Sequence, residues 1–273
     1  GVLEVETPWV VAAPVTDVNL QSAAVDLGDG TRRWLHTSPE YAMKRLLAAG
    51  SGDIWQACHV VRAGDERGRH HNPEFTLVEW YRTGYSMAQM AAEAATFVDA
   101  LLVAAGGEPR GFETLAYEEA VRRHAGVDPF AQDLGPLRDA AIALGLEARV
   151  AAASSRDELL DLLVAMRVGP ALGHGRLCAL THYPASQAAL ARIDPADPRL
   201  ALRFELYGDG LELANGFGVV LHAIGDETQL PLGLAAARTV ELCLSECACA
   251  FEIALANAIV HAFDGDACGG CVA

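Results

Sequence analysis

Between residues 62 and 82 arginine, histidine and carboxylate side chains crowd together: Arg62, Asp65, Glu66, Arg69, His70, His71, Asn72, Glu74, Glu79 and Arg82, with Phe75 and Tyr81 among them. An arginine at a strand end grips phosphate with a two-pronged fork, and a nearby aromatic ring covers a flat base. The pattern therefore suits a polyphosphate nucleotide, although a solvated charged loop has the same composition. A metal is poorly served, because neighbours in extended chain point to opposite faces and His70 and His71 then cannot chelate together.

Other chemistries fall away on motif grounds. A phosphate loop of the GxxxxGK[ST] type needs a lysine after glycine, and the lone lysine, Lys44, follows Met43. The sequence has no GxGxxG after a strand, no HExxH and no GxSxG. With 36 acidic and 20 basic residues the formal charge is −16 over 273 residues. That disfavours general nucleic-acid binding and binding to an anionic membrane. No apolar run reaches the roughly 20 residues of a bilayer span, and Gly1 to Glu6 lack a basic leader region, so the expectation is a soluble, cytoplasmic protein.

The elements that must position these residues read as α+β, an antiparallel sheet flanked by helices. Short extended pieces fill residues 1–36, and Gly28-Asp29-Gly30 supplies a turn. A helix is expected from Ser38 as N-cap, with Pro39 in its first position and Gly50 at its end. Residues 54–62 and 75–82 read as a hairpin with a long loop. Helices are expected at Ser86–Ala105, Tyr117–Ala125, Pro136–Leu144 and Arg156–Val168, and strand character returns over 200–217.

Two segments make the chain recognisable: Leu35 to Leu47, containing Thr37-Ser38-Pro39-Glu40-Tyr41, and Arg69 to Arg82, containing His71-Asn72-Pro73-Glu74-Phe75 and Glu79-Trp80-Tyr81-Arg82. Both closely resemble the lysyl-tRNA synthetase-like ligases that activate (R)-β-lysine and attach it to a lysine of elongation factor P. Gly1 to Pro8, Tyr183 to Ala188 and Glu212-Leu213-Ala214-Asn215-Gly216-Phe217 also match in order. The resemblance implies the class II aminoacyl-tRNA synthetase catalytic fold over residues 1–217. The implied reaction is attack of a carboxylate on the α-phosphorus of ATP, then transfer of the acyl group to an amine. A carboxylate is already nucleophilic at neutral pH, so positioning and charge stabilisation matter more than a general base.

By this resemblance Arg62 holds the α-phosphate, Glu66 or Asp65 is the acid following it, and His71 faces the terminal phosphates. Phe75 stacks on adenine and Asn72 contacts the nucleotide. Glu212, with Leu213 and Asn215, binds ATP and Mg²⁺, which favours carboxylate oxygen together with substrate phosphate. Ser38, Pro39, Glu40 and Tyr81 line the pocket for β-lysine or lysine. The loop after Arg62 is one residue longer than the family pattern, which leaves Asp65 and Glu66 as alternatives. The implied partners are elongation factor P and a second copy of the chain in a homodimer. The sequence shows no room for an anticodon-binding domain ahead of residue 1, which by the resemblance favours protein modification over tRNA charging; the helix that precedes the first class signature, usually part of the dimer interface, is not seen either.

Residues 218–273 depart from the family. Their single basic residue, Arg238, lacks the glycine-rich context of the third class signature, and five of the seven cysteines lie from Cys243 onward. A reading-frame shift near codon 217 is the leading explanation. The others are a divergent apolar helix over 248–263 and a zinc site at Cys247, Cys249, Cys268 and Cys271. The chain is then either an active ligase or an impaired remnant that binds nucleotide.

Overall fold

The computed structural model describes residues 1–17, 20–64, 72–220 and 236–244, the last nine and residues 219–220 as backbone only. In chain order the elements begin with strands β1 (Leu3–Glu4), β2 (Val10–Val11), β3 (Ala24–Asp26) and β4 (Arg32–Leu35), helix α1 (Glu40–Ala48), and strands β5 (Ile54–Val61) and β6 (Glu74–Thr83). Helix α2 (Met87–Ala104) leads to β7 (Phe112–Ala116) and to helices α3 (Tyr117–Ala125), α4 (Gly135–Ala143), α5 (Ala148–Ala153) and α6 (Arg156–Leu163). Strands β8 (Leu177–Pro184), β9 (Leu200–Gly208), β10 (Leu211–Val220) and β11 (Ala236–Leu244) follow.

These elements divide into two units. The first draws on residues 1–85 and 100–107 and the described part of 220–273; the second on 86–99 and 108–219. In the first unit the strands run β1-β5-β6-β11, beside a small sheet β2-β4-β3. Burial alternates along β5, so Ile54, Gln56, Cys58 and Val60 face the interior. Along β6 Leu77 to Tyr81 are buried without a break, as expected of a strand paired on both sides and covered on both faces. The register sets Gln56 against Glu79 and Ile54 against Tyr81.

In the second unit the order is β10-β9-β8-β7. Tyr117 and Val121 of α3, Leu137 of α4 and Leu159, Leu160 and Leu163 of α6 bury against Leu180 and Tyr183 of β8. Helix α6 opens on a capping box, in which Ser155 Oγ accepts the Glu158 N–H and the Glu158 carboxylate accepts the Ser155 N–H. It was expected to reach Val168 but ends at Leu163 and continues as a π-helical turn, Val164–Val168, because Gly169-Pro170 follows and proline cannot continue the ladder.

The α+β architecture expected from the sequence stands, and three of its details are refined. Each unit carries a parallel pair, β1 with β5 and β7 with β8, so the sheets are mixed. The intervening chain in both cases is long enough for the crossover that a parallel pair needs. Helix α1 starts after Pro39 rather than Ser38, since the Pro39 carbonyl is the first to accept helical N–H groups, those of Ala42 and Met43. Strands β7, β8 and β11 and helix α5 went unforeseen; β7 and α5 are short, and α5 is mostly alanine, with no apolar periodicity to read.

By length and composition alone α2 is long and apolar enough to cross a bilayer. Its Met90, Ala91, Ala94, Phe97, Val98 and Leu101 are instead buried within the protein, the pattern of a core helix. Its start is fixed by Ser86, whose Oγ accepts the Gln89 N–H at 3.2 Å while Gln89 Oε1 accepts the Ser86 N–H at 2.8 Å.

Candidate functional site

In the first unit the centre of the predicted site is a carboxylate. Glu79, in the middle of β6, is fully buried. Its Oε2 accepts the Ser38 hydroxyl at 2.7 Å and its Oε1 the Tyr81 hydroxyl at 2.5 Å. Period-2 alternation places Glu79 and Tyr81 on the same side of β6, and the loop before α1 brings Ser38 to them. Ser38 Oγ also accepts the Glu40 N–H at 3.0 Å, which ties the helix start to the strand. Glu40 turns along α1 and pairs with Lys44 one turn on. Of the four residues expected to line an amino-acid pocket, Ser38 and Tyr81 therefore meet at one anion, Pro39 caps the helix, and Glu40 forms a neighbouring ion pair.

Glu79 is the residue that sequence reasoning underrated, counting it only among the charged groups between residues 62 and 82. Arg82 pairs with Asp53 at 3.2 Å. The signal available in the sequence was the i, i+2 spacing of Glu79 and Tyr81 in a strand otherwise apolar over Leu77 to Trp80.

Arg62 follows β5; its Nε donates to the Thr37 carbonyl at 3.3 Å, and its guanidinium lies 5.2 Å from the centre of the Phe75 ring. Phe75 is itself packed with Cys58, Val60 and Leu77. The arginine and the aromatic are thus brought together, one face of the ring under the cation. Asn72 is exposed just ahead of β6. Asp65, Glu66 and His71 lie outside the described residues, as do Cys247, Cys249, Cys268, Cys271 and the expected helix over 248–263. Burial, the charge of Glu79 and a hydrogen bond with Gln56 set the Cys58 thiol, and the first two push its pKa up to about 12. It is inert at neutral pH.

In the second unit, Arg203, Glu205 and Tyr207 occupy alternate positions of β9 and so share one face. Arg203 donates to Glu205 at 2.6 Å, to the Gln187 carbonyl at 3.1 Å and to Asn215 Oδ1 at 3.4 Å, and lies 4.5 Å from the centre of the Tyr183 ring. Tyr207 donates to the other Glu205 oxygen at 2.7 Å. Burial opposes the charge of Arg203, but Glu205, Tyr183 and Glu212 outweigh it and hold its pKa above the ordinary value. Of the predicted ATP-side residues, Asn215 joins this network, Glu212 is exposed opposite Tyr207, and Leu213 sits at a β-bulge between Glu212 and Ala214, against Gly208. Sequence reasoning missed Arg203, Glu205 and Tyr183, although the Arg-x-Glu-x-Tyr alternation was there to be read.

Among the described residues no three His, Cys, Asp or Glu side chains converge as a metal cage. Magnesium asks for less, since it is commonly held by one or two carboxylates together with substrate phosphates, and the exposed carboxylate of Glu212 fits that mode.

Residues 1–221 match the family described as tRNA synthetases class II (D, K and N). The chain is 46% identical over 222 residues to the elongation factor P (R)-beta-lysine ligase of Sodalis glossinidius and 47% identical over the same length to that of Erwinia tasmaniensis. The ligase of Klebsiella pneumoniae (strain 342) is 46% identical. Each alignment covers 80% of this chain and 66% of the relative, so the chain spans less than two thirds of the length of these relatives.

Proposed function

The chain belongs to the class II tRNA synthetases of the D, K and N group, and within that family we propose that it is an ATP-dependent ligase that activates (R)-β-lysine or lysine as an adenylate and passes the acyl group to a lysine of elongation factor P. The observation that carries this reading is the buried Glu79 carboxylate held by Ser38 and Tyr81. A buried carboxylate with both oxygens oriented by hydroxyls is a prepared anion for an ammonium group, and a diamino acid brings two. The names of the relatives, all elongation factor P ligases, support the acceptor.

In this reading the substrate carboxylate attacks the α-phosphorus of ATP, and pyrophosphate leaves. Arg62 neutralises charge developing on the α-phosphate, with Phe75 against adenine, and Asn72, Asp65 or Glu66 and His71 complete the nucleotide contacts. Glu212 and Asn215, next to Leu213, serve the ATP side; Glu212 would hold Mg²⁺, which would supply charge neutralisation at the phosphates. Ser38, Pro39, Glu40 and Tyr81 orient the amino acid so that its carboxylate is in line. The working form is a cytoplasmic homodimer.

Amino-acid-dependent exchange of labelled pyrophosphate into ATP tests the reading. Exchange should depend on (R)-β-lysine or lysine, and Tyr81→Phe should raise the KM for the amino acid by about tenfold, since a hydrogen bond to a charged group is worth about 1.5–3 kcal/mol. ATP binding with no exchange above background would overturn it.

A further inference from the structure

The sheet face that carries Glu79 holds a second polar group, to which the reactions above give no task. Gln56, in the middle of β5, is 2% exposed. It is the direct register partner of Glu79 across the β5–β6 pair. Residues opposite one another in an antiparallel pair project from the same side of the sheet, with Cβ atoms about 4.5–5.5 Å apart. Apart from Tyr81 the rest of that side is apolar, with Ile54, Cys58 and Val60 on β5 and Phe75 and Leu77 on β6.

The hydrogen bonding of Gln56 is half used. A hydrogen bond from its amide to the Cys58 sulfur, two positions on, favours the thiolate, which only the NH₂ end of the amide can do. The carbonyl oxygen, Oε1, is buried without a partner among the described residues. Buried acceptors are rarely left so, and an apolar surround offers nothing in exchange for the lost water. Packing alone would be served as well by methionine, which has nearly the same length and no acceptor to strand.

Charge narrows what the oxygen is for. A second carboxylate at position 56 would face Glu79 across the strands, and like charges directly opposite are destabilising. An amide brings an oxygen to the same place without a charge. One anion and one neutral acceptor side by side match a group with a single positive charge and several N–H donors. A primary ammonium has three; each alkyl group added to it removes one, and a hydroxyl brings one donor and no charge.

We infer that Gln56 is a specificity residue of the amino-acid pocket, its Oε1 accepting one N–H of the same substrate ammonium whose charge Glu79 balances. The inference rests on the ligase reading of the Glu79 site and adds to it a means of telling a primary ammonium from its N-alkylated and hydroxyl analogues. A diamino acid offers two such groups, and the arms of the test distinguish them.

Calorimetric titration of the intact chain without ATP tests it, with (R)-β-lysine or lysine, whichever binds more tightly, and the two singly N-methylated forms of that amino acid. Wild type should bind one methylated form about tenfold more weakly than the parent, as expected for loss of a hydrogen bond to a charged group, and that form identifies the ammonium. Gln56→Met should weaken the parent by about tenfold and bring parent and methylated form within about threefold of each other, because the methyl then displaces no hydrogen bond. Affinity for ATP, titrated separately, should stay within about twofold. Urea unfolding without ligand supplies a readout that a purely structural role would move the other way: Gln56→Met should be no less stable than wild type, since it removes an unpaired buried acceptor. Should circular dichroism show Gln56→Met unfolded, Gln56→Asn, which keeps an amide but draws its oxygen back, decides by the same loss of affinity. Unchanged affinity for the parent in a folded variant, equal losses for ATP and amino acid, or binding of both methylated forms by wild type at the strength of the parent would overturn it. Pyrophosphate exchange is read separately. A wild type that neither binds nor exchanges with a diamino acid overturns the ligase reading and this one with it, whereas a wild type that does both while Gln56→Met binds normally overturns this one alone.

Discussion

Replacing Arg203 with methionine should destabilise the second unit more than any single contact on its surface would. The guanidinium pairs with Glu205 at 2.6 Å, and the two side chains are 19% and 9% exposed. Removing one member of a buried pair leaves the other charge desolvated and typically costs 3–5 kcal/mol. We expect about 3 kcal/mol, the low end, because Tyr207 still donates to one Glu205 oxygen. Replacing both members, Arg203→Met with Glu205→Leu, removes the stranded charge and leaves chiefly the Tyr207 hydroxyl without its acceptor, a loss of about 1–3 kcal/mol. The double variant should therefore be more stable than Arg203→Met alone, with a coupling energy above about 2 kcal/mol. Urea unfolding of wild type, both single variants and the double variant gives this cycle directly, provided the slopes are unchanged. Additivity within about 0.5 kcal/mol, or a cost below about 1 kcal/mol for Arg203→Met, would show that the pair is screened like a surface one and would refute the reasoning.

Two other perturbations have predictable signs. Gly173 has φ +76°, and a Cβ there would lie 2.5 Å from the Tyr207 carbonyl oxygen; Gly173→Ala should cost about 1–3 kcal/mol for the conformation alone and more from the backbone clash, read as a fall in urea midpoint. His36 is buried, its Nε2 3.0 Å from the His59 carbonyl, and burial holds its pKa below 6.5 despite that bond. The unfolded chain takes up this proton first as pH falls, so the contribution of His36 is complete above its ordinary pKa and declines below it. Urea midpoints measured from about pH 8 to pH 5 should fall less steeply in His36→Gln than in wild type.

The sheet strands that carry the site were readable because alternation and β-branched or aromatic content are local signals. The hairpin of β5 and β6 and the pair β9 and β10 stand where such patterns put them. What stayed hidden depends on distant partners. Ser38 reads as a helix cap, and its Oγ does accept the Glu40 N–H, but nothing local tells that its proton goes to Glu79, forty-one positions on. Gln56 and Glu79 have no common motif; they meet only because β5 pairs with β6 in this register. The parallel pairs were equally invisible, since the direction of a neighbouring strand is set by the crossover and leaves no trace in strand composition.

Strand β6 acquires its second neighbour late. Glu79 is paired with position 241 through β11, so the hydrogen bonds of that flank of β6 must wait until the chain beyond residue 244 has left the ribosome. At ordinary synthesis rates of about 5–20 residues per second, the strand bearing the buried carboxylate spends many seconds as an open sheet edge, the arrangement most prone to pairing with another chain. Glu79 is synthesised well before position 241, whose pairing closes its flank of the sheet.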